Sequence, residues 1–137
     1  MATITRFEEI ESWQLARRLT NQIYDLSDVG RFSRDFGLRD QMRRAAVSVM
    51  SNIAEGFESQ TQAMFISYLN RAKASAGEVR AQLYVASDRG YITPEQFDEI
   101  YQLTVEISRK LVGFIRYLER QPNARRVREN TAIYKIG

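Results

Sequence analysis

Seven apolar residues, Phe65, Leu69, Ala72, Ala76, Val79, Leu83 and Ala86, follow one another at spacings of 4, 3, 4, 3, 4 and 3. A strict heptad of this length lies along one side of an α-helix and needs an apolar partner of similar length. Ala72, Ala74, Ser75, Ala76 and Gly77 are small, so the partner can approach closely. The run Ser59-Gln60-Thr61-Gln62 reads as a capping box, with Ser59 as N-cap and Gln62 at N3, and Gly90 is placed to stop the helix in a left-handed conformation.

Three further segments supply partners. Phe7, Trp13, Ala16, Leu19, Ile23 and Leu26 predict a helix from about Glu8 to Leu26, broken by Val29-Gly30-Arg31-Phe32-Ser33. A helix beginning between Asp35 and Leu38 carries Leu38, Met42, Ala45, Ala46, Val49, Met50, Ile53 and Phe57 on one arc, with Gly56 placed to end it. The last opens on Ile92-Thr93-Pro94-Glu95-Gln96-Phe97, with Thr93 as N-cap, Pro94 at N1, Gln96 at N3, and Ile92 and Phe97 set for a hydrophobic staple. Its seam is Phe97, Ile100, Leu103, Ile107, Leu111, Phe114 and Leu118, widened by Tyr101, Val105, Val112 and Ile115, and Pro122 ends it. Four amphipathic helices with short connections predict an all-α, antiparallel up-down four-helix bundle over residues 1–120, followed by a tail over 121–137. The wide stripes, with Tyr24, Tyr68, Tyr84, Tyr91, Tyr101 and Tyr117, favour a homo-oligomer that covers them.

The second helix also has an ordered polar side. Asp40, Gln41, Arg44, Ser48, Ser51, Asn52 and Glu55 fall on one arc opposite the core. Asp40 with Arg44, and Ser51 with Glu55, stand at i, i+4, where side chains can pair. Three readings fit: a solvated face, a polar seam packed on another helix or subunit, or a catalytic face. Asp40 and Glu55 lie about 22 Å apart along the axis, too far to act as one acid–base pair. Asn52, at the edge of the core arc, is expected to be structural, its amide bonding a neighbouring helix backbone.

Composition narrows the chemistry. The 137 residues contain no cysteine and no histidine, which removes thiolate chemistry, the commonest general base and the commonest metal ligand. There is no EF-hand spacing, Gly-rich phosphate loop or Gly-x-Ser-x-Gly elbow. The expectation is a nonenzymatic protein with no cofactor and no metal. No apolar run approaches the roughly 20 residues of a membrane span, and the first residues have no signal-peptide core, so a cytoplasmic location is expected. Residues 1–120 balance 16 Lys+Arg against 16 Asp+Glu, so the net charge of +3 resides in the tail, in Arg125, Arg126, Arg128 and Lys135 against Glu129.

Three stretches together resemble one family. They are Phe7-Glu8-Glu9-Ile10-Glu11-Ser12-Trp13-Gln14-Leu15-Ala16; Phe36-Gly37-Leu38-Arg39-Asp40-Gln41-Met42-Arg43-Arg44-Ala45-Ala46-Val47-Ser48 continuing through Asn52-Ile53-Ala54-Glu55-Gly56-Phe57; and Leu83 to Gly90-Tyr91-Ile92. Over about residues 7–120 the chain resembles the 23S ribosomal RNA intervening-sequence proteins. The resemblance implies a four-helix bundle assembling into a ring-like pentamer. Some members are encoded within insertions in the 23S ribosomal RNA gene, and related bundles are accessory proteins of diversity-generating retroelements, where they bind a reverse transcriptase and nucleic acid. The family usually carries proline where this chain has Met50, which implies a straighter second helix here.

Two functions are expected. The first is association with RNA or DNA through arginines that neutralise phosphates: Arg17, Arg18, Arg39, Arg43, Arg44, Arg116, Arg120, Arg125, Arg126 and Arg128. The alternative is a protein–protein scaffold without nucleic acid, with Ala132-Ile133-Tyr134-Lys135-Ile136 packing on a neighbour.

Overall fold

A computed structural model describes residues 4–121. Four helices, α1 (Glu11–Leu26), α2 (Phe36–Glu58), α3 (Gln62–Asp88) and α4 (Pro94–Glu119), form an all-α four-helix bundle. Each packs on the next in sequence, and α4 packs back on α1. The tail's arginines, its Ala132–Ile136 segment and Pro122 lie outside the described residues.

The apolar periodicity becomes the core. All seven heptad positions of α3 are buried, joined by Ala16, Leu19 and Ile23 of α1, Met42, Ala46, Val49 and Ile53 of α2, and Ile100, Ile107, Leu111 and Leu118 of α4. The layers interlock through rings: Phe65 meets Phe57 edge-on at 6.0 Å and Phe114 at 5.3 Å. Such pairs add to the stabilisation that burial alone gives.

Helix ends follow their caps. Thr93 Oγ1 accepts from Gln96 N at 3.1 Å while Gln96 Oε1 accepts from Thr93 N at 2.8 Å, a complete capping box. At the end of α3, Tyr91 N donates to Ala86 O at 2.9 Å and Gly90 N to Ser87 O at 3.0 Å, a Schellman closure with Gly90 at φ +72°.

Three expectations at helix ends are corrected. The first helix begins at Glu11 and not Glu8, because Phe7–Glu9 forms a separate 3₁₀ turn closed by Ile10 N donating to Phe7 O. The N-cap of α3 is Thr61, whose hydroxyl accepts from Met64 N. Ser59 instead closes α2, donating to the Gly56 carbonyl. Gly56 does not end α2, which runs on to Glu58. It is needed for space: a Cβ there would lie 2.8 Å from Tyr68 Cβ and 2.9 Å from Phe65 Cδ1. Helix α2 passes Met50 without a break, and Met50 Sδ accepts from Thr20 Oγ1 of α1 at 3.4 Å.

The α1–α2 and α3–α4 connections meet at one end of the bundle. Phe32, fully buried in the first, stacks on Tyr91 of the second at 5.3 Å. Tyr91 Oη donates to Asp35 Oδ2 at 2.9 Å, and Arg31 Nη2 donates to Arg89 O at 3.0 Å. At the other end, the Gln62 amide donates to the carbonyls of Leu118 and Gln121, tying the start of α3 to the end of α4.

Candidate nucleic-acid interface and polar seam

The polar arc of α2 divides into a packed part and an exposed part. Ser48 and Asn52 are half-buried, and Ser48 Oγ lies 2.9 Å from Ser75 Oγ of α3. Asn52 Nδ2 donates to Ser48 O at 2.8 Å and to Ser48 Oγ at 3.0 Å. The amide therefore serves its own helix, one turn back, and not a neighbouring backbone; the helix-to-helix bond is made by Ser48 and Ser75. The bridge exists because small residues let α2 and α3 approach until two short hydroxyls meet. Asn52→Ala is expected to lower stability by about 1 kcal/mol by leaving Ser48 Oγ with one partner fewer. Thermal melts of the two proteins check this, and an unchanged midpoint would remove the assignment.

The rest of the arc faces outward. Gln41, Arg44 and Glu55 are exposed, Asp40 and Ser51 half-buried. The spacing-based pairs do not form: Asp40 pairs with Arg39, Nε to Oδ1 at 2.9 Å, and no hydrogen bond joins Ser51 to Glu55. Arg39 is drawn toward the start of α2 by the Ser33 carbonyl at 3.0 Å and by the Phe36 ring at 4.8 Å, which brings it to Asp40 ahead of Arg44.

Two shallow grooves flank Arg44 and Ser48. One, of about 590 Å³, is lined by Tyr24, Asp40, Arg43, Arg44, Val47 and Ser48, and the other, of about 350 Å³, by Gln41, Arg44, Ala45, Ser48 and Glu78. Arg43 lies 4.5 Å from the centre of the Tyr24 ring while its Nε donates to Ser27 Oγ at 2.8 Å and an Nη sits 3.8 Å from Asp28 Oδ1. Tyr24 was not a candidate from sequence as part of this groove, since only the α1–α2 packing brings it beside Arg43.

The predicted arginines thus fall into two groups. Arg39 and Arg43 are half-buried and engaged by protein groups. Arg17, Arg18, Arg44, Arg116 and Arg120 are exposed and pair with no carboxylate among the described residues. Arg17 lies 5.9 Å from the Trp13 ring centre. The five occur on α1, on α2 and at the end of α4. The N-terminal segment carries one perturbed carboxyl: the backbone N–H and hydroxyl of Thr5 hold Glu9 below the usual carboxylate range.

Among the described residues no group of three or more Asp and Glu is placed to hold a metal ion, and no helix is long and apolar enough to cross a membrane. What the geometry defines is a helical bundle with a polar inter-helix seam and exposed arginines on α1, α2 and α4. The model of the 23S rRNA-intervening sequence protein family matches residues 8–113, and the chain belongs to that family. A solved relative is a protein with unknown function from the S23 ribosomal protein family of Bacteroides thetaiotaomicron VPI-5482, 26% identical, with a TM-score of 0.71 over 77% of this chain and 95% of that one. No curated protein matches the chain.

Proposed function

We propose that this protein is a nonenzymatic, cytoplasmic bundle protein that assembles into a ring-like homo-oligomer, a pentamer by family resemblance, and associates with RNA or DNA. The observation that carries the reading is the set of five exposed arginines with no carboxylate partner among the described residues, in a family named for an intervening sequence of 23S rRNA. An arginine left unpaired on the surface can neutralise a phosphate without first breaking an ion pair, and a ring repeats each weak contact around its axis. An antiparallel up-down course for the helices is supported by bonds between opposite ends, Gln22 to Glu99 and Glu11 to Lys110 between α1 and α4.

Fluorescence anisotropy of labelled structured RNA and duplex DNA at two salt concentrations tests this, with light scattering on the same sample. Binding that weakens steeply with salt is expected, and removal of residues 121–137 is expected to reduce both affinity and slope. A well-folded oligomer that binds neither ligand at low salt would sink the reading.

A protein-scaffold role is favoured by a different observation. Tyr84, 53% exposed, meets Phe97 at 5.1 Å and Tyr101 at 6.3 Å, with exposed Val85 beside it. An aromatic cluster open to solvent suits a protein partner or a second copy of the chain. A pull-down that retains a partner after nuclease treatment would favour this role.

A further inference from the structure

We infer that the second half of α4 is a face built to lie against a phosphate backbone, centred on Gly113; this rests on the nucleic-acid reading above. Gly113 stands in the interior of α4, is exposed, and a Cβ placed on it would meet nothing within 4 Å. A glycine there costs about 1 kcal/mol relative to alanine, and the bundle gains no contact in return. The contrast with Gly56, whose Cβ would collide with α3, shows that Gly113 is not explained by packing among the described residues.

Its surroundings are cationic. Arg109, Gly113, Arg116 and Arg120 recur at i, i+4, i+7 and i+11, which places them on one side of the helix over about 16 Å. All four are exposed, and the three arginines pair with no carboxylate among the described residues. A groove of about 360 Å³ on this face is lined by Glu106, Arg109, Lys110 and Gly113. Lys110 is held by Glu11 at 2.6 Å, so Glu106 is the groove's one acidic group left to oppose Arg109. Of the large apolar side chains exposed among the described residues, none lies on α4. A protein partner would want such anchors; a phosphate strand wants cations and close access. Without a side chain at position 113, a strand can lie on the helix between the flanking arginines. The stripe also runs toward the tail that holds Arg125, Arg126 and Arg128.

The test uses full-length Gly113→Ala, Gly113→Leu and Arg109→Gln proteins, with anisotropy on labelled structured RNA, thermal melts and light scattering. Gly113→Ala is expected to raise the melting temperature while weakening RNA binding. Gly113→Leu is expected to weaken binding about tenfold with the fold retained, and Arg109→Gln to reduce the salt slope by about 0.7–0.9. Gly113→Leu binding as tightly as the wild type would overturn this face while leaving the nucleic-acid reading in place. Absence of binding by the wild type to both structured RNA and duplex DNA would remove both. A smaller particle for Gly113→Leu would make the face a subunit contact and overturn the inference.

Discussion

Phe65→Ala is expected to lower the stability of the bundle by about 3–5 kcal/mol, a fall of roughly 10–20 °C in melting temperature. Phe65 is fully buried near the start of α3 and joins three helices, with its ring between Phe57 of α2 and Phe114 of α4. Truncation removes the burial of the ring and leaves a cavity whose walls are themselves aromatic. Phe57 and Phe114 would have to swing toward each other to fill it, and helices fixed at both ends resist that movement. Chemical denaturation with the slope of the transition held as a second readout checks the value. A loss below about 1 kcal/mol would mean that the two rings collapse into the space and that this end of the core is loosely packed.

Gly56→Val is expected to cost about 3 kcal/mol or more, and Gly56→Ala about 1–3 kcal/mol, although alanine is the better helix former. The nearest atoms to the added carbon would be Tyr68 Cβ at 2.8 Å, Phe65 Cδ1 at 2.9 Å and Phe65 O at 3.3 Å. A Cβ and a carbonyl oxygen cannot rotate away as the end of a flexible side chain can. Helix α3 would have to move off α2, opening the seam where Ser48 meets Ser75. Circular dichroism melts of the two variants check this. Gly56→Ala melting at or above the wild-type temperature would show that the helices separate at little cost. The opposite sign expected for Gly113→Ala makes the two glycines controls for one another.

The core was legible because burial and helical period are the same information written twice. Every α3 heptad position is buried, and the Thr93 box and the Gly90 stop formed where local chemistry placed them. Local rules failed where two helices compete for one residue. Ser59 fits a capping box for α3 by spacing, yet α2 continues to Glu58 and takes its hydroxyl, leaving Thr61 to cap. Gly56 looks like a stop signal in a list of residues, and only the approach of α3 reveals it as a spacer. Phe32, in a segment with no periodicity, carried no mark of burial because its partner Tyr91 is far away in the chain. On the candidate interface, sequence located the arginines but not which were already engaged. Arg43 is held by Tyr24, Ser27 and Asp28, all from the preceding helix and its exit. Arg109 and Gly113 gain their meaning only when exposure and empty space are known.

The junction between α3 and α4 has a consequence for the order in which the chain acquires structure. Between Ala86 and Phe97 bonds spanning three to five residues close the backbone locally, and Arg31 of the α1–α2 connection adds one bond, to the Arg89 carbonyl. Closing so short a loop loses little entropy, and it delivers two long apolar seams to each other already in register. Contacts of α1 with α4 must instead close most of the chain. The α3–α4 hairpin is therefore a local nucleus, as is the α2–α3 pair across residues 59–61, and α1 is added onto a surface that already exists; helical bundles built from such local pairings fold fast.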